Sequence, residues 1–206
     1  MITLPVTAED RALAIELAEE IPSNIKNSIT KGSKRALGCL GQIKVAQYYG
    51  VDFKVSTRDN DLYINDYKVE VKSKDRNVRS RLDYDATVAA YNTFQRTDFY
   101  FFTSCRKPNR YATFNEIFEC DLMGYITKTR FYELAERVRG GTTDPNASAQ
   151  QLASGTGTYH CDNYKLVYAA LTPCTEDRHI YMPEDLPKPK KKVLVPDEEE
   201  IVWPGR

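Results

Sequence analysis

The stretch Asp61–Lys74, DLYINDYKVEVKSK, decides the fold that we predict for this chain. Two apolar-alternating runs, Leu62–Ile64 and Tyr67–Val71, flank the adjacent pair Asn65 and Asp66. Asn and Asp tolerate the left-handed backbone conformation that a two-residue hairpin loop requires. The stretch therefore predicts a β-hairpin with its turn at this pair.

Counting outward from the turn places Leu62 opposite Val69 and Asp61 opposite Glu70. Successive side chains of a strand point to opposite faces, so one face of the hairpin is apolar and the other is charged. The apolar face comprises Leu62, Ile64, Tyr67, Val69 and Val71, and the charged face comprises Asp61, Tyr63, Lys68, Glu70 and Lys72. Like charges at opposed positions destabilise a sheet, so a divalent cation between Asp61 and Glu70 is the interpretation we favour. The alternative is an exposed amphipathic hairpin whose outer face is simply charged.

The composition of the 206 residues predicts one domain with an extended end. We assign residues 1–182 to a single domain with a flexible, Gly/Thr/Ser-rich loop near 139–158. Residues 183–206, rich in proline and charge blocks, are assigned to an extended, partly disordered tail. No apolar run is long enough to span a membrane, and no signal peptide is visible. These features predict a cytoplasmic protein without a membrane partner.

The cysteines show no C-x-x-C pairing, and their number, five, is odd. Free thiols are therefore expected. A zinc set of His160, Cys161, Cys174 and His179 is the alternative, but its spacing is irregular.

Basic residues concentrate on both sides of the hairpin although the formal net charge is zero. Residues 21–51 contain no acid, and a second basic run follows Lys72. Such runs fit a phosphate-binding surface, although solvated faces give the same pattern. The candidate phosphate-binding residues are Lys34, Arg35, Lys74, Arg76, Arg79 and Arg81.

The periodicity of apolar residues and the positions of capping and helix-breaking residues predict the remaining elements. The first predicted helix starts after Thr7 and stops before Pro22. The other predicted helices are Ser33–Tyr49, which ends at Gly50, Asp85–Gln95 and Thr129–Val138. The predicted strands, besides the hairpin, are Phe53–Thr57, Phe99–Ser104, Tyr111–Phe114, Ile117–Ile126 and Tyr164–Leu171. Gly38 and Gly41 inside the second helix indicate close approach of a ligand or of a strand, and the sequence leaves both explanations open.

The order helix, strand, hairpin with D…E-x-K, helix, strand resembles the PD-(D/E)XK nuclease superfamily, which includes restriction enzymes and archaeal Holliday junction resolvases. The matching residues are Asp61, Glu70 and Lys72, preceded by the helix segment ALGCLGQIKVAQYYG. The segment from Met123 to Ala135 also resembles one in small phage and bacterial members. The resemblance implies an α/β (α+β) fold with a restriction-endonuclease-like core, a central mixed sheet flanked by helices in αβββαβ order.

The resemblance also implies a metal-dependent DNA endonuclease. Asp61, Glu70 and the Val71 carbonyl would hold Mg²⁺, with Mn²⁺ as a substitute, and Lys72 would act on the attacking water. Relatives often carry a glutamate where this chain has Gln42, which would orient water instead. Many relatives are dimers, so a homodimer is one expectation. The alternative is a catalytically weakened nucleic-acid-binding or phage accessory protein on the same fold.

Overall fold

The computed structural model describes residues 1–21, 33–52, 60–143, 158–159, 161–176, 178 and 180. These residues form a mixed α+β structure, as the sequence predicts at this level. The helices are α1 (Ala8–Glu20), α2 (Ser33–Tyr49) and α3 (Lys128–Leu134). The strands are β1 (Ile2–Pro5), β2 (Leu62–Ile64), β3 (Tyr67–Arg76), β4 (Asp85–Ala89), β5 (Phe99–Arg106), β6 (Glu119–Thr127), β7 (Glu136–Val138) and β8 (Asn163–Val167).

The predicted hairpin is present as β2 and β3, with the predicted register up to Leu62. Leu62 pairs with Val69, and Ile64 pairs with Tyr67. Asn65 and Asp66 have φ values of 49° and 66°, the left-handed conformation that the tight turn needs. Local turn chemistry and side-chain alternation therefore agree here.

Two sheets arise from the described strands. The main sheet has the order β1-β6-β5-β3-β2, and the smaller sheet has the order β4-β8-β7. Strands β3 and β5 run parallel, whereas the other pairs in the main sheet are antiparallel. The main sheet is thus mixed, which confirms that part of the prediction.

The main sheet separates two apolar clusters. Helices α1 and α2 pack on one face, where Leu40 and Ile43 join Val69 and Val71 of β3. On the other face, Tyr100 and Phe102 of β5 pack with α3 and the smaller sheet. Since side chains alternate along β3, Glu70 and Lys72 belong to this second face.

Helix α2 lies close to the sheet because Gly41 has no side chain. A Cβ at Gly41 would lie 1.9 Å from Ser73 Oγ on β3 and 2.7 Å from Thr103 Oγ1 on β5. Packing against strands therefore accounts for this glycine. A Cβ at Gly38 would meet nothing within 4 Å. Gly50 ends the helix with a φ of 66°, as predicted.

A polar cluster with a buried ion pair joins α1 to α2. The predicted N-cap Thr7 forms a capping box with Asp10, whose carboxylate accepts a bond from the Thr7 N–H at 2.9 Å. The same carboxylate accepts bonds from Lys44 Nζ at 2.9 Å and Gln47 Nε2 at 2.7 Å. Burial alone would raise the pKa of Asp10, but these hydrogen bonds outweigh it and the pKa lies below its usual value.

The predicted helix Asp85–Gln95, and with it the αβββαβ order, is wrong. Residues 85–89 form β4, and Ala90–Phe94 form a 3₁₀ helix. Ala86 and Val88 alternate into the second apolar cluster, and β4 gains its backbone partners from β8. Long-range pairing thus overrides the local alanine-rich pattern.

Further boundaries differ from the predictions. The helix predicted over Thr129–Val138 stops at Leu134 and is followed by β7. The strand predicted at Tyr111–Phe114 is absent, since a 3₁₀ turn occupies Phe114–Glu116. Strand β8 ends at Val167, and β1 was not predicted at all. The strand predicted at Phe53–Thr57 lies outside the described residues.

The two ends of the predicted loop near 139–158 meet. Thr143 and Thr158 form an antiparallel bridge, and the Gly141 N–H donates to the Tyr159 carbonyl at 2.7 Å. Residues 144–157 and the predicted tail 183–206 lie outside the described part of the chain. Among the helices that the structure describes, none has the length and apolar character to cross a membrane.

Candidate functional site

Asp61 lies at the start of the hairpin but does not face Glu70 as predicted. The strand pairing stops at Leu62, and the Asp61 N–H donates to the Val69 carbonyl at 3.0 Å. The Asp61 carboxylate reaches past Glu70 and accepts a bond from the Val71 N–H at 2.8 Å. Asp61 and Glu70 are both buried. A local irregularity rather than cross-strand pairing therefore places Asp61, whose carboxylate is bonded to Val71, the residue that follows Glu70.

Glu70 binds two side chains on the second face of the sheet. Its Oε1 accepts bonds from Lys72 Nζ and from Gln95 Nε2, both at 2.7 Å. Gln95 Oε1 lies 3.4 Å from the same Lys72 ammonium. The three side chains form a closed triangle of contacts, which we call the hairpin cluster. It holds Lys72 beside the carboxylate in the position that the sequence predicts.

The segment that carries Gln95 is fixed by a half-buried cation. Lys128, the first residue of α3, donates from Nζ to the Thr93 carbonyl at 2.6 Å and also to the Gln95 carbonyl. Burial lowers the pKa of Lys128. These bonds hold the 3₁₀ segment against the sheet, so Gln95 reaches Glu70 from a defined backbone position.

The charge of Glu70 contributes to the raised pKa of two tyrosines. Tyr100, the register partner of Glu70 on β5, and Tyr132 on α3 place their hydroxyls 2.9 Å apart. Burial raises the pKa of Tyr132 to about 12, and the charge of Glu70 adds to this shift. Burial, the neighbouring Tyr132 and Glu70 also raise the pKa of Tyr100. Glu70 thus sits where a negative charge is only partly screened.

Gln42 comes from the other side of the sheet. Its helix packs on the first apolar cluster, whereas Glu70 and Lys72 face the second. Gln42 is buried, and its Oε1 has no hydrogen-bond partner within the described chain. Cys39, three residues earlier on α2, lies near Asp61: burial raises its pKa to about 11, and the Asp61 charge contributes. Gln42, whose amide oxygen has no partner within the described chain, therefore lies on the same face of α2 as Cys39, which is near Asp61.

The oxygen donors that the sequence assigns to a metal ion are Asp61, Glu70, the Val71 carbonyl and Gln42, and Gln42 belongs to the sheet face opposite to that of Glu70. Oxygen ligands of this kind suit Mg²⁺ and Mn²⁺. Within the described ranges, no group of three or more His, Cys, Asp or Glu side chains is arranged so that it could hold a metal ion.

The five cysteines are free, as predicted. Cys161 is half-buried and Cys174 is buried. His160 and His179, the other members of the zinc alternative, lie outside the described residues.

The predicted DNA-binding residues do not share one surface role. Lys74 donates to the Asp85 carbonyl at 2.9 Å, and the Arg76 guanidinium lies over the Tyr84 ring at 4.4 Å. Arg35 donates to the Ile21 carbonyl at 3.1 Å, within the protein. Exposed positions are occupied by Arg79 and by Arg81, whose guanidinium pairs with Asp83 at 2.6 Å. The side chain of Lys34 is outside the described part.

Gln95 and Tyr132 are the site residues that sequence reasoning missed. Gln95 and Tyr132 fall within predicted helices, and the local pattern assigns neither residue a role at the site. Their contacts with Glu70 and Tyr100 span 25 and 32 residues. No local spacing carries a signal of this kind, because the contacts depend on the packing of α3 and the 3₁₀ segment over the sheet.

Comparison with known proteins identifies no relative. No protein-family model, no curated protein and no solved structure matches the chain. The interpretation of the site therefore rests on the contacts described above.

Proposed function

We propose that the protein is a metal-dependent DNA endonuclease that hydrolyses phosphodiester bonds. One observation carries the proposal: Glu70 is buried and contacts Lys72 at 2.7 Å, and the buried Asp61 accepts a bond from the N–H of Val71, the residue between Glu70 and Lys72. Carboxylate oxygens are ligands of hard divalent cations, and a lysine beside them would stabilise charge on a phosphate. The mixed sheet supports the proposal of a restriction-endonuclease-like core.

The roles of the residues follow from their chemistry. Asp61, Glu70 and the Val71 carbonyl would hold Mg²⁺ or Mn²⁺, and Gln42 Oε1 would orient a water molecule. The metal ion, when bound, would polarise the phosphodiester and lower the pKa of water. Lys72 would position the attacking water and offset the charge that develops on the phosphoryl oxygens. Gln95 would hold Glu70 and Lys72 in register with each other.

Arg79 and Arg81 are the exposed members of the predicted DNA contacts. They would bind flanking phosphates without reading the base sequence. The proposal also includes a reduced cytoplasmic setting, supported by the five free thiols, and it allows a homodimer.

The test is cleavage of plasmid DNA by the full chain with Mg²⁺ or Mn²⁺ and with EDTA. We expect cleavage only with the metal ion. Glu70→Ala and Lys72→Ala should abolish cleavage while DNA binding survives. Glu133→Gln, which removes an exposed carboxylate paired with Arg130, is the matched control and should cleave normally. Cleavage that persists in both site variants would sink the proposal.

A binding protein without catalysis is the second candidate. It is favoured by the bonds that Lys72 and Gln95 make to Glu70, which satisfy this carboxylate in part without a cation. The amide of Gln42 in place of a carboxylate points the same way. Titration with Mn²⁺ separates the two candidates, because only the nuclease should bind it in a manner that Glu70→Gln weakens.

A further inference from the structure

Two exposed aromatic rings border the hairpin cluster. Tyr63 on β2 is 54 % exposed, and Phe94 at the end of the 3₁₀ helix is 60 % exposed. Exposing a large ring to water has a free-energy cost, and single exposed rings are common. Two rings next to one polar cluster are a more specific arrangement.

The register of the hairpin places Tyr63 beside the cluster. Tyr63 is the cross-strand partner of Lys68, so both side chains share the face of Glu70 and Lys72. Glu70 is therefore the diagonal neighbour of Tyr63, at about 7–8 Å between backbones. The ring stands on the β2 side of Glu70.

Phe94 ends the 3₁₀ helix, whose Asn92 carbonyl accepts a bond from the Tyr100 hydroxyl of β5 at 3.4 Å. It directly precedes Gln95, whose amide contacts both Glu70 and Lys72. The bonds from Lys128 to the Thr93 and Gln95 carbonyls fix the backbone on both sides of this ring. Arg96, which is exposed, follows Gln95 and adds a cation. An aromatic, an amide and a cationic side chain thus occupy the consecutive positions Phe94, Gln95 and Arg96, and Gln95 contacts Glu70.

We propose that Tyr63 and Phe94 form a stacking platform for unpaired bases, and that the protein acts on single-stranded DNA or on unpaired DNA segments. The inference rests on the proposed function for its choice of DNA. Exposed rings stack on bases that are not already stacked in a duplex, whereas Lys68, Lys72 and Arg96 supply charge for the backbone. A strand held between the rings would pass over the hairpin cluster.

The test measures binding of the full chain to a fluorescein-labelled single-stranded oligonucleotide and to its blunt duplex, by anisotropy in EDTA. We expect the single strand to bind more tightly. Tyr63→Ala and Phe94→Ala should each weaken that binding by at least about fivefold, and the double variant should lose more. Duplex binding should change little. Tyr63→Phe and Phe94→Tyr keep the ring and should restore affinity.

Tyr111→Ala is the matched control. Tyr111 is 75 % exposed and lies beyond the opposite end of β5, so its loss should leave single-strand binding unchanged. The inference is overturned if the platform variants lose no more affinity than this control, or if they weaken duplex binding equally. Since EDTA prevents metal-dependent cleavage, the two proposals fail separately. Ring-dependent binding without cleavage would overturn only the nuclease, and Mg²⁺-dependent cleavage without ring-dependent binding would overturn only the platform.

Discussion

Two clusters in this molecule each combine a carboxylate, a lysine ammonium group and a glutamine amide. Asp10, Lys44 and Gln47 form the helix-pair cluster between α1 and α2, and the hairpin cluster combines Glu70, Lys72 and Gln95. In the helix-pair cluster both carboxylate oxygens are bonded, because Gln47 binds Oδ1 while Lys44 and the Thr7 N–H bind Oδ2. In the hairpin cluster both bonds from the described side chains fall on Oε1.

The clusters also differ in exposure and in their neighbours. The Lys44 side chain is 5 % exposed, whereas that of Lys72 is 19 % exposed. Asp61, a second buried carboxylate, is bonded to the backbone N–H of Val71, the residue between Glu70 and Lys72. The ion pair of the helix-pair cluster is thus almost completely buried, whereas the lysine of the hairpin cluster is partly exposed. The same functional groups therefore differ between the two places in how many carboxylate oxygens are bonded and in how far the ammonium group reaches solvent.

The largest expected difference concerns the carboxylates. Asp10→Asn leaves the buried Lys44 without its counter-charge and should lower the free energy of unfolding by about 3–5 kcal/mol. Glu70→Gln should change it by less than about 1 kcal/mol, because the Lys72 ammonium is partly exposed and water can solvate it when its partner is neutral. Urea denaturation of both variants measures the difference. Equal losses would show that the two clusters have the same structural role.

Substitution of the two glutamines should show the same contrast between the clusters, with smaller changes in the free energy of unfolding. Gln47→Ala removes the donor to Asp10 Oδ1 and should lower stability by about 1–2 kcal/mol. Gln95→Ala should leave stability nearly unchanged and reduce metal-dependent cleavage by about tenfold, through loss of the Glu70–Lys72 geometry. Melting temperatures and cleavage rates of both variants are the measurements. A stable, fully active Gln95→Ala protein would remove this residue from the site.

The smallest effect is expected in the acid limb of the stability curve. The pKa of Asp10 is lowered in the folded state, so its contribution is present above the unfolded pKa and is lost as pH falls through the folded value. Wild-type stability should therefore fall as pH decreases below about 4. Asp10→Asn, although less stable throughout, should show a shallower decrease. An unchanged slope in that variant would rule out Asp10 as a source of acid sensitivity.

The parts of the fold that were predictable depend on local signals. The turn at Asn65 and Asp66, the alternation along the hairpin and the aromatic strand β5 are each readable within about ten residues. The capping box of Thr7 and Asp10 and the glycine that ends α2 are equally local. For these elements intrinsic preference and tertiary context agree.

The parts that were missed depend on distant partners. Strand β4 was predicted as a helix because its alanines fit a helical stripe, yet its partner β8 lies near the end of the described chain. At the site, Asp61, Glu70 and Lys72 were identified from one hairpin. Gln95 was not, because the fold brings it to Glu70 across 25 residues. Sequence pattern thus identified the charged groups but not the residue that orients them.

Strand β1 has a consequence for the order of folding during synthesis. Its pairing with β6 joins Ile2 to Leu122 and Pro5 to Glu119. At about 5–20 residues per second, roughly ten seconds of translation separate the emergence of these two strands from the ribosome. Until then β1 lacks the strand with which it pairs, and the main sheet is complete only when β6 lies between β5 and β1. A strand that is synthesised well before its partner is therefore among the last to reach its final place.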